Sequence, residues 1–170
     1  MPLQRKSSCA PSSIPHMDWI IKKSKQIRFH TDLSAVTEPF KHWIQNYNWL
    51  ISDLDFITDK LQDLPINFDQ DYFLLTTEQF QKLVASGTQI IWGTILAIPK
   101  GMSIKPNSES LPYVEGNSRI WEPGGIQLEE ADIEIDCFDS SYTIVKFRMQ
   151  ELSDKFVQHF PEAIPLSKFK

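Results

Sequence analysis

The sequence has little of what several protein classes require. Its only two cysteines cannot build a disulfide framework, which indicates a protein with free thiols in the cytoplasm. It contains no run of about 18 apolar residues, so it predicts no membrane-spanning helix. Arg5 and Lys6 are not followed by an apolar segment, which argues against a secretory signal.

Motifs for catalysis and metal binding are also missing. The sequence has no Gly-x-Ser-x-Gly elbow and no Walker loop. The histidines are scattered, and none has a second ligand at metal spacing. Asp53, Asp55 and Asp59 lack the turn glycine and the terminal acid of a calcium loop. The sequence therefore predicts a protein that is not an enzyme, with no catalytic residue, no metal site and no cofactor.

Positively charged residues are scarce through most of the chain. Residues 29–145 carry 18 acids against six bases, a net charge of −12, whereas residues 1–28 carry +5 and residues 146–170 carry +2. An acidic body disfavours binding to nucleic acid or to an anionic membrane. The distribution favours a basic protein partner.

The chain divides into a tail and one domain. Residues 1–17 are rich in Ser and Pro and are predicted to be a disordered tail or vector-derived residues, and residues 18–170 a single α+β domain. Residues 90–98 are almost wholly apolar and uncharged, which predicts a buried central strand in a mostly antiparallel sheet. Helices are predicted at 38–47, 77–86 and 149–160, short strands at 26–30, 49–51 and 72–75, and a β-hairpin at 132–147, while 53–64 is left open between helix and acidic loop.

The predicted hairpin carries a row of acids. Asp132, Glu134 and Asp136 alternate with Ile133 and Ile135, so the three carboxylates share one face of a strand. This face is either a docking surface for a basic partner, such as the nucleic-acid site of a nuclease, or a solvated face that discourages edge pairing. The candidate partner-binding residues are Glu129, Glu130, Asp132, Glu134, Asp136, Asp139 and Trp121.

The tryptophans fall into two groups. Trp43, Trp49 and Trp92 lie on apolar faces and are predicted to belong to the core. Trp19 and Trp121 lie outside the strongest predicted elements, which makes them candidate interface anchors.

A long connection follows the central strand. Residues 102–126 hold several prolines and glycines among polar residues, and connections of this length are often functional. An alternative hypothesis is therefore a small enzyme or ligand-binding domain with a pocket under this connection. A third is a structural subunit of a larger assembly.

The order of elements resembles that of known small proteins. It runs from Asn48-Trp49-Leu50-Ile51 through a strand ending Ala97-Ile98-Pro99-Lys100-Gly101 to a hairpin and a closing helix. This order resembles small uncharacterised bacterial α+β proteins and the immunity proteins of bacterial toxin systems, which are often acidic, cytosolic and non-enzymatic. The resemblance carries over no binding residue. It implies a non-catalytic protein, a monomer or small homo-oligomer, that neutralises a basic protein partner such as a toxin domain, with no nucleic acid and no membrane bound.

Overall fold

A computed structural model describes residues 17–170 as a seven-stranded antiparallel sheet with three α-helices, a mixed α+β fold. The strands, in spatial order β3-β2-β4-β5-β6-β1-β7, are β1 (Asp18–Ile21), β2 (Tyr47–Ile57), β3 (Tyr72–Leu75), β4 (Gln89–Pro99), β5 (Ile133–Phe138), β6 (Tyr142–Phe147) and β7 (Ile164–Pro165). The helices are α1 (Leu33–Thr37), α2 (Thr77–Ala85) and α3 (Gln150–His159). No helix within residues 17–170 is long and apolar enough to cross a membrane.

The predicted central strand is confirmed. β4 pairs with β2 on one side and with β5 on the other, and Ile95, Leu96 and Ala97 are fully buried. Successive side chains of a strand point to opposite faces, so burial of three in a row requires cover on both faces of the sheet. The helices cover one face, and residues 100–132 cover the other.

The helical face holds the larger core. Trp49 on β2 stacks on Phe80 of α2 with ring centroids 3.8 Å apart, and α3 contributes Phe156. A capping box begins α2, because Thr76 and Gln79 each accept a backbone hydrogen bond from the other. This reciprocal pair starts α2 where the sequence predicts.

The hairpin and the last helix are also confirmed within the sheet. β5 and β6 pair in register from Ile133 opposite Phe147 to Phe138 opposite Tyr142. Asp139 and Ser140 turn the chain with φ angles of 47° and 51°, the left-handed region that both central residues of a type I′ turn adopt. The inward alternation makes Cys137 buried, as its position in the strand predicts.

Three local predictions are wrong or incomplete. Residues 38–47 do not form an α-helix, since α1 and two short 3-10 turns take their place and Tyr47 already pairs with Pro99 in the sheet. The Thr37 hydroxyl donates back to the Leu33 carbonyl and caps nothing. Residues 26–30 form turns and no strand. The ambiguous stretch 53–64 begins as the last five residues of β2.

The predicted disordered tail falls on residues 1–16, which lie outside the described part of the chain, and on Met17. The Met17 carbonyl accepts a hydrogen bond from the Phe147 amide, so the regular pairing of β1 with β6 extends to this residue.

Candidate functional site

The long connection after β4 forms a strap, residues 112–127, across the sheet face opposite the helices. Within it only Ser118–Trp121 form a 3-10 turn. Val114 and Ile120 are fully buried against Ile20 and Ile144 of the sheet. The strap therefore closes a second, smaller core.

Buried charged residues hold one end of the strap. A carboxyl oxygen of Asp18 accepts the Gly124 amide at 2.6 Å, and Lys146 Nζ donates to the Gly125 carbonyl at 3.1 Å. Glu134 accepts a strap amide at 2.5 Å. Lys146 lies between the two acids in the sheet register, opposite Asp18 on β1 and opposite Glu134 on β5. The three side chains form a buried ionic clamp.

The other end of the strap is held by β2. Asp53 interrupts the register of β2 with a φ of 54°, and one of its carboxyl oxygens accepts the amides of Val114 and Glu115 at 2.8 and 2.9 Å. The Ser52 hydroxyl donates to the Pro112 carbonyl. The left-handed conformation of Asp53 thus aims its carboxylate at the strap.

Asp136 lies next to the ionic clamp and is fully buried. Neither of its carboxyl oxygens has a hydrogen-bond partner of ordinary geometry within residues 17–170, although the Thr94 hydroxyl and the Glu134 carboxyl lie beside it. Burial, and then the Glu134 carboxylate, raise the pKa of Asp136 well above its usual range. This environment therefore favours the protonated form of Asp136.

A polar cavity of about 940 Å³ opens between the strap and the preceding residues. Its lining comes from residues 108–127 and, from the sheet, Lys146. Arg119 and Glu122 supply charges of both signs. The size of the cavity suits a small ligand, and the ligand-binding role suggested for this connection stays a prediction.

A second groove, of about 500 Å³, lies where β2 passes the start of the strap. Phe56, Phe68 and Tyr113 line it together with the acids Asp55 and Asp71. Phe68 is 66% exposed and Tyr113 48%. We call this surface the acidic groove.

The acidic groove continues into an exposed apolar and acidic segment. Residues 53–71 carry six aspartates and one lysine. Four of the six exposed large apolar side chains found in residues 17–170 lie in or directly after this segment: Ile57, Leu61, Phe68 and Leu74. Apolar side chains exposed together mark an interaction surface more often than scattered ones do.

The prediction of an exposed acidic face on the hairpin is wrong for its two central acids. Glu134 and Asp136 are fully buried beneath the strap, so they do not lie on a solvated face. The sequence pattern is the same for a polar face in water and for one that holds a covering segment. A charge reversal at either residue would test folding, because it would place an uncompensated charge in the interior.

The remaining hairpin candidates are separated. Glu129, Glu130 and Asp132 lie before β5, while Asp139 lies in the turn after it, roughly 20 Å further along the strand direction. Arg148 lies 4.0 Å from Asp132, which adds a base beside the first group. The docking role of these four residues stays a prediction.

The two candidate anchors, Trp121 and Trp19, pack against the body of the protein. Trp121 is half-buried and packs against Phe138 and Phe169, with ring centroids 4.8 and 5.8 Å apart. Its role in docking also stays a prediction. Trp19 is 8% exposed and donates its indole N–H to Ser153. The prediction that Trp19 is an exposed interface anchor is therefore wrong.

No group of three or more His, Cys, Asp or Glu within residues 17–170 has an arrangement that could hold a metal ion. Comparison of the chain with models of known protein families, with curated proteins and with solved structures found no match.

Sequence reasoning missed the ionic clamp and the acidic groove. The pairing of Lys146 with Glu134 follows from the hairpin connection, because the three residues 139–141 fix which residues lie opposite each other. Nothing local to Asp18 indicates its position beside Lys146. The sequence of residues 53–71 did contain a sign of the acidic groove. Acidic and aromatic residues are mixed there without the alternation that is typical of a buried strand, which indicates an exposed segment.

Proposed function

We propose that the protein is a non-catalytic binding protein that neutralises a basic protein partner, as the immunity proteins of bacterial toxin systems do. The observation that carries the proposal is the acidic groove, where exposed aromatic side chains lie among aspartates. On this proposal it acts in the bacterial cytoplasm as a monomer or small homo-oligomer.

The chemistry of the groove suits a basic partner. Phe68 and Tyr113 offer aromatic surface that loses contact with water on binding, and aromatic anchors dominate the affinity of many interfaces. Asp55 and Asp71 beside them attract lysine and arginine, which accelerates association through long-range steering. A basic partner with an apolar side chain at its centre would satisfy both parts.

The groove supports this function better than the hairpin does. The hairpin row loses its two central carboxylates to the interior and divides into separate groups. Nine apolar or aromatic residues and four acids line the groove, and none of its lining residues is lysine or arginine. A surface of one charge sign around apolar anchors is specific for partners of the opposite sign.

The first experiment identifies the partner. The protein would be used to capture bound proteins from its source cell, and the captured proteins would be identified by mass spectrometry. The proposal expects one stoichiometric basic protein whose activity the purified chain inhibits. An acidic partner, or a basic one whose activity is unaffected, would contradict it.

Charge reversal then locates the interface. We expect Asp55→Lys with Asp71→Lys to lower the association rate constant by about tenfold and to flatten its salt dependence. The matched control is Glu129→Lys with Glu130→Lys, which changes the same charge at the hairpin. Loss of association only in this control would move the interface to the hairpin acids.

A second candidate function rests on the strap cavity. Its volume of about 940 Å³ and its polar lining suit a small polar ligand, which supports a ligand-binding domain or small enzyme. A thermal-shift screen with nucleotides, metals and metabolites tests it, because a ligand bound to the folded state raises the melting temperature. A shift of several degrees that Arg119→Gln abolishes would favour this function over the first.

A further inference from the structure

A third groove lies on residues that neither proposed function uses. Its volume is about 750 Å³, and Ile21, residues 23–30 and Glu162 line it. Ile21, Ile27 and Phe29 supply the apolar part of the lining. We call it the basic groove, because its other side chains include Lys23, Lys25, Arg28 and His30.

The two lysines carry the available positive charge of the basic groove. Arg28 is committed to Asp32, with 2.9 Å between Nε and a carboxyl oxygen, and the Asp32 side chain is only 3% exposed. Burial opposes ionisation of Asp32, but hydrogen bonds from Arg28 and Ser34 outweigh it and hold the pKa of Asp32 below its usual value. Lys23 and Lys25 are exposed, and neither forms an ion pair within residues 17–170.

The segment that forms the groove is fixed to the body at its middle and at its end. Gln26 donates its side-chain amide to the His159 carbonyl after α3. Thr31 is fully buried and donates its hydroxyl to the Ile90 carbonyl of β4, with a φ of 63°. A β-branched residue in this left-handed region is strained, and such strain concentrates at functional sites. These contacts shape the groove before any ligand arrives.

We propose that the basic groove binds a monomeric amphiphile with an aliphatic body and one carboxylate head. The volume is that of a small-molecule site, and such sites combine apolar walls with a few charged groups that fix orientation. Ile27 and Phe29 contact the aliphatic body, and Lys23 and Lys25 receive the carboxylate. The strongly acidic residues 29–145 disfavour an anionic membrane as the source of the same chemistry.

Three probes with one aliphatic tail separate head-group recognition from general adsorption. Dodecanoate, dodecyltrimethylammonium and dodecyl maltoside would be titrated below their micelle concentrations by calorimetry, with the full chain. We expect dodecanoate to bind at least about tenfold more tightly than the cationic probe, because the two lysines attract one head and repel the other. Equal affinity for all three probes would overturn the proposal.

Substitutions that remove charges of opposite sign test where dodecanoate binds. Replacing both lysines, Lys23→Gln with Lys25→Gln, should weaken dodecanoate binding about tenfold, and Glu162→Gln should tighten it about twofold. Lys22→Gln is the matched control, since Lys22 is an exposed neighbour that does not line the groove. Dodecanoate binding that the double lysine variant and Glu162→Gln both leave unchanged would place the ligand elsewhere and refute the site.

A vesicle experiment decides the source of the head group. Wild type and the double lysine variant would be sedimented with vesicles of phosphatidylcholine containing phosphatidylglycerol. We expect the wild type and the double lysine variant to sediment with the vesicles to the same extent. Lysine-dependent sedimentation without dodecanoate binding would assign the groove to a membrane surface and overturn the proposal. Both outcomes are independent of whether a basic protein binds the acidic groove.

Discussion

Replacing Asp136 by asparagine should stabilise the protein increasingly as the pH rises. Burial and Glu134 raise the pKa of Asp136 in the folded state above its value in the unfolded chain, about 3.9 for an aspartate. The folded state therefore holds a proton that the unfolded state releases. Such a group favours folding fully below the unfolded pKa, and this contribution is lost as the pH rises toward the folded pKa.

The size of the effect follows from the linkage relation. Each pH unit between the two pKa values costs the wild type about 1.4 kcal/mol of unfolding free energy through Asp136. The asparagine side chain has nearly the same shape and no proton to lose, and its amide can donate to Glu134. The variant should therefore gain on the wild type by about 1.4 kcal/mol per pH unit from about pH 5 until the pH reaches the folded pKa of Asp136, where the gain levels off.

Urea unfolding at several pH values, followed by circular dichroism, measures the difference. Comparing the variant with the wild type removes the contribution of Asp18, whose pKa burial also raises. Asp139→Asn, at the exposed turn of the same hairpin, measures the loss of one carboxyl outside the buried cluster. A stability difference for the Asp136 variant that stays constant with pH would refute the conclusion that Asp136 keeps its proton.

Three further predictions concern single side chains. Lys146→Met should lower the unfolding free energy by about 3–5 kcal/mol in urea denaturation, because it leaves the two acids of the ionic clamp buried without their cation. Thr76→Ala should cost about 1 kcal/mol in the same assay, since α2 loses its capping box. The thiol of Cys137 should react with a water-soluble disulfide reagent only at the unfolding rate, because burial excludes the reagent and raises the thiol pKa. A variant with Cys9→Ser isolates that signal, and fast labelling of folded protein would contradict the burial.

The sequence predicted correctly those elements whose ends are marked by capping or turn residues. Thr76 and Gln79 cap α2 and Gly87, with a φ of 70°, follows its end, so three residues mark both limits of that helix. The hairpin was predicted for a similar reason, because the alternation of apolar and polar residues and the polar turn both involve neighbouring residues. The 3-10 turns of 38–46 were missed because apolar residues at helical spacing also occur where short turns bury one side against a core.

The burial of Glu134 and Asp136 could not be predicted from their own strand. Alternation tells which residues share a face, but it does not tell what covers that face. The cover is the strap, and its place depends on contacts with Asp18 and Asp53, which are distant in sequence. The cavity at the connection is lined by the connection itself and, from the sheet, by Lys146. The ligand-binding role that the sequence suggests for it stays a prediction.

The position of β1 has a consequence for how the chain acquires its fold during translation. β1 is synthesised first, yet its partners β6 and β7 are the last strands to leave the ribosome. The protein therefore has a high contact order across this pair, and its sheet closes only after β6 and β7 have been synthesised. Until then Ile20 and Ile21 have no apolar partner in the sheet. A nascent chain arrested before β6 would expose these residues and an unpaired edge, which makes it a substrate for chaperones that bind extended apolar segments.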